Sequence, residues 1–224
     1  MLAIVQARMS SERLPGKVLM QIAGRPMLEW LYDRITQTKN INRVIIATSD
    51  VLTDDPIEEF CSRMNISCFR GSLEDVAGRF LSILEKEEVD EFVRISGDSP
   101  LIDPNLIDFA TDLYRQGNFD LVTNVLRRTF PKGQSIEVVR SSSFLRMCDE
   151  IFLQQDREHV TKAFYKNPSA YNIKNFIADI AAEEIQLSVD SQNDFDVIKL
   201  IIDLSNNKPG GWRELAILRK SIYL

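Results

Sequence analysis

Histidine is almost missing from this 224-residue sequence: His159 stands alone. One imidazole removes most histidine-based metal sites and argues against a Ser-His or Cys-His nucleophile. Cysteine is scarce as well. Cys61, Cys68 and Cys148 are odd in number and spaced for neither a zinc cage nor a disulfide frame, so a reduced, cytoplasmic protein is the simple expectation. No apolar run reaches about 18 residues, the length a membrane span requires. The N-terminus carries no basic segment ahead of an apolar one, as a secretory signal would. Positive charge is in deficit, with 27 Lys and Arg against 33 Asp and Glu and a net charge of −6, which disfavours nucleic acid as a partner. There is no GxGxxG, and Gly16-Lys17 is followed by Val18 rather than by Ser or Thr, which excludes a P-loop. Chemistry here must run on carboxylates, Lys, Arg, hydroxyls, backbone NH groups or a bound metal.

What remains is enough for a sizeable core. Apolar residues make up 44% of the chain, and its length suits one large domain or one domain with a sub-lobe. Short apolar runs at Leu2–Val5, Val44–Ala47, Ile66–Phe69, Phe92–Ile95 and Leu121–Val122 read as buried strands. Helical patterns separate them. One opens at Pro26. A second opens at Asp55-Pro56-Ile57-Glu58 with Asp55 as N-cap, a third at a capping box from Ser72 to Asp75, and a fourth at Asp103-Pro104. This alternation predicts an α/β fold, a mostly parallel sheet with helices on both faces. The pattern breaks over residues 124–180, which are expected to form an inserted lobe within a single domain of residues 1–224. That stretch holds the turn Pro131-Lys132-Gly133, an alternating strand Ser135–Val139, and helices starting at Ser141 and at Asp156-Arg157-Glu158. A strand at Ile185–Val189, a helix from Ser191 to Leu204 and a last helix after Gly211 complete the reading.

Ligands of a parallel α/β sheet bind beyond the carboxyl ends of its strands. Three loops there carry the chemistry. Gln6–Gly16 leaves the first strand and brings Arg8, Arg13 and the adjoining Lys17 together with Ser10 and Ser11. Cations spaced in this way can reach different oxygens of a polyphosphate, while Gly16 lets the backbone approach. The same loop could also be no more than a solvated basic surface. "RISGDSPLIDP" places Ser96, Gly97 and Asp98 at the end of a second strand, where Asp98 is suited to Mg²⁺ in a phosphate site or to a simple turn. "LSVDSQNDFDVI" leaves Asp190 free just ahead of a Ser191/Asp194 capping box. Two strand-end aspartates can share Mg²⁺ with phosphate oxygens, which is the equipment for nucleotidyl transfer.

"QARMSSERLPGKVL", "GSLEDVAGRF", "RISGDSPLIDP", "TFPKGQSIEVV", "REHVTKAFYKNP" and "LSVDSQNDFDVI" occur in that order across nearly the whole chain. Together they resemble the cytidylyltransferase family of the spore-coat polysaccharide biosynthesis type, with a more distant likeness to CMP-Kdo and CMP-sialic acid synthetases. The resemblance implies a Rossmann-like nucleotide-diphospho-sugar transferase fold with a dimerisation arm, and therefore a homodimer. It implies the reaction of CTP with a small sugar-like acceptor to give CMP-acceptor and pyrophosphate, with Mg²⁺. By position, Arg8, Arg13 and Lys17 would hold the triphosphate. Ala7, Ser10, Ser11, Gly71, Asp75, Arg79 and Ser96 would contact the nucleotide, and Asp98 and Asp190 would bind metal. Glu137, Arg157 and His159 would face the acceptor. Glu137 reads equally well as an outward strand residue, Asp75 as a cap, and Arg157 to His159 as a helix start. Gln134 and Ser135 depart from the Leu-Asp pair that this branch usually carries, which would alter acceptor choice or weaken activity.

Overall fold

Alternation along β1 (Leu2–Gln6) sets the plan of the molecule. In this computed structural model, which describes residues 1–150, 157–158 and 160–222, Ala3 and Val5 pack into one hydrophobic core while Leu2 and Ile4 pack into another on the opposite face. Successive side chains of a strand point to opposite sides, so a strand buried on both faces reads as an unbroken apolar run. β1 lies at the centre of the sheet. It pairs in parallel with β4 (Arg43–Ser49) and β6 (Glu91–Ser96), and β4 pairs in parallel with β5 (Ser67–Gly71). Beyond β6 the direction reverses, because β8 (Glu137–Arg140) runs antiparallel to both β6 and β7 (Leu121–Thr123). β9 (Ile173–Asn175) closes that edge in parallel with β7, giving a seven-stranded order β5-β4-β1-β6-β8-β7-β9. A separate two-stranded hairpin joins β2 (Gln21–Ile22) to β3 (Arg25–Pro26). Residues 124–180 therefore contribute two strands, β8 and β9, to the main sheet.

Helices cover both faces. On the Ala3/Val5 side lie α1 (Met27–Thr36), α2 (Asp55–Met64), α4 (Pro104–Arg115), α7 (Gln192–Leu204) and α8 (Trp212–Ser221). On the Leu2/Ile4 side lie α3 (Val76–Glu87), α5 (Ser141–Asp149) and α6 (Lys162–Lys166). There Phe80, Phe92 and Phe144 meet with ring centroids 5.4–6.2 Å apart, the offset spacing aromatic rings prefer. No helix among the described residues is long and apolar enough to cross a membrane.

The helix starts follow local chemistry with two shifts. Asp103 caps α4 through Asn105 N, and Ser191 and Asp194 form a complete capping box on α7. α2 begins at Asp55, so the residue before it is Asp54, which makes no cap bond and is turned inward. Asp75 is the cap of α3 rather than its third residue; its carboxylate accepts from Gly78 N while Ser72 Oγ accepts from Asp75 N. The strand expected at Ile185–Val189 is absent. Its backbone is held by Lys132 on one side, through Lys132 N to Ile185 O at 2.9 Å and Leu187 N to Lys132 O at 2.8 Å, and forms only an isolated bridge. Gly133, at φ +91°, permits this approach, since a Cβ there would lie 2.6 Å from Ser188 N.

Candidate functional site

The carboxyl ends of β1 and β6 open into a cleft of about 410 Å³. A single aspartate shapes the loop that forms its floor. Asp54 is fully buried and accepts from Met9 N at 2.7 Å, from Thr48 Oγ1 and from Ser49. Gly16 N then returns to Met9 O at 2.8 Å, and Gly16 takes φ +75°, which a side chain would resist. The loop is thus closed on itself, with Lys17 immediately after it. Gly97 brings the second strand end against the first: a Cβ there would stand 2.7 Å from Gln6 O. A third segment is tied in by Val189 N donating to Asp98 O at 2.9 Å, which places Asp190 beside Asp98.

Lys17 sits where these three meet. Its ammonium donates to Val189 O at 2.6 Å and lies 3.4 Å from Asp190 Oδ1 and 3.8 Å from Asp98 Oδ2. The Lys17 side chain is only 11% exposed, so its charge is held there by design of the backbone rather than by solvent. Arg13 reaches Asp190 Oδ1 at 3.1 Å, and Arg8 reaches Glu158 Oε1 at 3.2 Å. All three cations line the cleft together with Ala7, Ser11, Ser96, Asp98 and Asp190. Ser10, expected beside them, is exposed and does not line it.

Arg79 occupies the opposite wall, in the first turns of α3. It is 3% exposed, and its Nε and Nη1 have no hydrogen-bond partner among the described residues. Burial depresses its basicity, with the nearby Arg8 acting the same way and Asp54 against it. Gly71 makes room for it, since a Cβ at Gly71 would come 2.9 Å from Arg79 Cγ. A buried guanidinium with two unmatched donors on the wall of a cleft is suited to an anion or a carbonyl oxygen.

Other expected residues are placed differently. Asp75 and Arg157 bond to each other, Nε to Oδ1 and Nη2 to Oδ2 at 2.9 Å each, and neither lines the cleft. Their neighbour Glu158 does, and joins Glu12, Asp98 and Asp190 as an acidic group of the site. Glu137, expected to face the acceptor, is 1% exposed and has both carboxylate oxygens engaged within the protein: Arg94 binds one and Tyr165 OH donates to the other. Glu137 does not line the cleft. His159 lies outside the described residues. Gln134 is a buried pin, accepting from Asp103 N and donating to Leu101 O at 2.8 Å each, while Ser135 Oγ accepts from Arg128. Gln6, Glu12 and Val76 line the cleft as well, residues whose type alone does not mark them as ligand contacts.

The Asp75–Arg157 pair carries a pH signature. Burial alone would raise the Asp75 pKa, but Arg157 and the Gly78 amide together hold it below the usual carboxylate value. A depressed carboxylate stabilises the fold above its unfolded pKa of about 3.9 and loses that contribution as pH falls through the folded value. Asp75→Asn should therefore lower stability at pH 6 by less than about 1 kcal/mol, given the partial exposure of both partners. The gap between the two proteins in urea melts should close as pH drops below 4 or so. A gap that widens in acid would contradict the pairing.

Three loop cations, a buried arginine with two nitrogens unpartnered among the described residues, and two aspartates thus meet at the strand ends of an open α/β sheet, an arrangement suited to a nucleotidyltransferase. The chain belongs to the cytidylyltransferase family, whose sequence model matches residues 2–215. It is 33% identical over 215 residues to the spore coat polysaccharide biosynthesis protein SpsF of Bacillus subtilis, covering 93% of this chain and 88% of that one. It is also 33% identical over 108 residues to the 3-deoxy-manno-octulosonate cytidylyltransferase of Geobacter metallireducens, covering 48% of this chain and 42% of the relative. The solved structure of a cytidylyltransferase from Leptospira borgpetersenii superposes with a TM-score of 0.93 at 29% identity, covering 99% of this chain and 94% of that one. The fold is thus that of the nucleotide-sugar transferases.

Proposed function

We propose that the cleft binds CTP with Mg²⁺ and transfers its cytidylyl group to a hydroxyl of a sugar or sugar-acid acceptor in the cytoplasm, for surface polysaccharide assembly. The observation that carries this reading is the convergence of Arg8, Arg13, Lys17 and Arg79, two of whose nitrogens are unpartnered among the described residues, on one cleft of an acidic protein, beside the carboxylates of Asp98 and Asp190. The bond formed joins the acceptor oxygen to the α-phosphorus, and the bond broken releases pyrophosphate. The acceptor's hydroxyl proton leaves to solvent or to a nearby carboxylate, so no covalent enzyme intermediate is required.

The residues act by position and charge. Arg8 and Arg13 exchange Glu158 and Asp190 for phosphate oxygens, and Lys17 balances the charge that accumulates on the leaving pyrophosphate. Arg79, over Gly71 at the β5 side, takes an oxygen of the nucleotide. Asp98 and Asp190 suit Mg²⁺, a hard cation that takes one or two carboxylates plus substrate phosphate oxygens. Bound there, the ion would neutralise phosphate charge and polarise the phosphorus for in-line attack. The relatives named for 3-deoxy-manno-octulosonate support an acceptor of the sugar-acid class.

The test is thermal stabilisation by CTP, UTP, ATP and GTP, each with and without Mg²⁺. A ligand that binds only the folded state raises stability by mass action, about 2.7 kcal/mol at a hundred times its Kd. A shift largest for CTP with Mg²⁺, followed by pyrophosphate release when sugar acids are added, is the expected result. No shift with any nucleotide at several times millimolar would remove the triphosphate seat and with it the proposal.

A further inference from the structure

Gln6 is the last residue of β1 and lines the cleft, yet nothing in the triphosphate seat uses its side chain. Its amide oxygen accepts twice from one partner, from Arg94 Nε at 3.1 Å and Arg94 Nη2 at 2.9 Å. A guanidinium offers only donors, so the amide nitrogen could not take that place; the rotamer and the O/N assignment are both fixed by the partner. Both amide hydrogens of Gln6 are consequently turned away from Arg94, and no described residue accepts either of them. Arg94 is itself immobilised. It binds Glu137 through Nη1, Tyr165 OH donates to the second oxygen of Glu137, and Thr123 Oγ1 meets Tyr165 OH at 2.9 Å. Burial disfavours the charged arginine, but Glu137 more than offsets it and holds the Arg94 pKa above the ordinary value. Burial and Glu137 both push the Tyr165 hydroxyl well up, so it stays a neutral donor.

The chain Thr123–Tyr165–Glu137–Arg94–Gln6 thus runs through the sheet and ends on a free amide donor pair at the cleft. A buried ion pair is a poor way to gain stability, because desolvation cancels most of its attraction. What it does well is fix direction. We infer that Gln6 is a specificity-determining residue, whose amide donates to an oxygen of a ligand in the cleft, and that Glu137 is a positioning residue acting on it through Arg94. The oxygen is a carboxylate, hydroxyl or carbonyl, and two sources offer one: the nucleotide and the second substrate. Geometry favours the second substrate. Arg79 packs over Gly71 at the β5 end of the sheet, whereas Gln6 leans the other way, onto β6, where its register partner Ser96 stands two residues before Asp98. This assignment rests on the nucleotidyl-transfer reading above.

The side-chain NH₂ resonance of Gln6 reports directly, and is assigned by its disappearance in Gln6→Met. In the free wild-type protein it should be a single sharp pair, and Glu137→Gln should broaden or move it by unlocking Arg94. A pair that is unchanged in Glu137→Gln, with the fold intact by thermal melt, overturns the positioning role. If Glu137→Gln does not fold, Thr123→Val, at the far end of the chain, takes its place in the same measurement. CTP with Mg²⁺ is then titrated, followed by the sugar acid that drives pyrophosphate release. The expected result is a resonance that moves with the sugar acid and hardly with nucleotide. In kinetics, Gln6→Met should raise the KM for that acceptor roughly tenfold, the worth of one good hydrogen bond, with kcat and the CTP-induced melting shift little changed. Movement with CTP–Mg²⁺ alone transfers the role to reading the nucleotide and overturns the acceptor assignment. Absence of any CTP-induced melting shift would instead be failure of the nucleotidyl-transfer reading, which the apo comparison of wild type and Glu137→Gln keeps separate.

Discussion

Replacing Lys17 by methionine is expected to cut pyrophosphate release roughly 10³-fold while leaving a folded protein, on the scale seen when one preorganised charge is removed from a phosphoryl or acyl transfer site. The reason is where the ammonium sits. Its 2.6 Å bond to Val189 O fixes it on the backbone, so it does not have to be recruited by substrate. From there it faces Asp190 at 3.4 Å and Asp98 at 3.8 Å, distances that balance two carboxylates without committing to either. Both carboxylates are therefore drawn toward one ammonium, in a position to share a cation. Methionine keeps most of the apolar stem and removes only the charge, so the loop should still close through Gly16 and Met9. Two like charges then face one another with only the exposed Arg13, on Asp190, to balance them, which also predicts a higher Mg²⁺ requirement for whatever activity remains. Lys17→Arg should not rescue it. The guanidinium is a planar fork, and an 11% exposed position bonded to one carbonyl has been shaped for a compact ammonium. The assay is pyrophosphate release at saturating CTP and Mg²⁺, with a melting curve beside it. Turnover within tenfold of wild type in a folded Lys17→Met protein would show that Lys17 holds the loop and nothing more.

That placement explains which parts of the molecule the sequence discloses. Asp98 was legible as a cleft residue because it follows the apolar run of β6, and strand ends are where a parallel sheet binds ligands; Lys17 was legible from the basic loop that leaves β1, and Asp190 from its place just ahead of a helix cap, although the run before it is no strand. Asp103, Ser191 and Asp194 were legible because a helix cap is decided within four residues. Asp54 and Asp55 show the limit of that locality. Either could begin α2 from its own chemistry, and the choice is made by Met9, 45 residues earlier in the chain, whose amide claims Asp54. Glu137 and Arg157 show the same limit. Their partners Arg94 and Asp75 lie 43 and 82 residues away, and a charged side chain reads as a ligand contact until its partner in space is known. The run Ile185–Val189 has the composition of a strand but finds no ladder, because what it meets is the turn at Lys132. Composition sets which residues can be buried, while long-range pairing sets which charges stay free for chemistry.

Arg79 is the charge left free, and it should trade stability against binding. Arg79→Met is expected to stabilise the unliganded protein while weakening CTP–Mg²⁺ binding roughly 10- to 100-fold, the worth of one or two charge-assisted hydrogen bonds. The two effects have one origin. A guanidinium that is 3% exposed with Nε and Nη1 unpartnered has lost its water without gaining acceptors. Methionine fills similar volume over Gly71 with no polar group to desolvate, and replacing even a paired buried charge by apolar bulk is often stabilising by about 1–4 kcal/mol. For a chain of this size that would raise Tm by several degrees, at about 2–4 °C per kcal/mol. The cost appears only with substrate, when the oxygen that should meet the guanidinium finds a thioether. Residues kept at the expense of stability are those on which function depends. Melting curves of wild type and Arg79→Met, each with and without CTP–Mg²⁺, read both signs in one experiment: the variant should start higher and shift less. A variant that starts lower and shifts as much as wild type would make Arg79 a structural pin whose partners are Asp54 and Asp50, and would leave the nucleotide to be held from the Lys17 side alone.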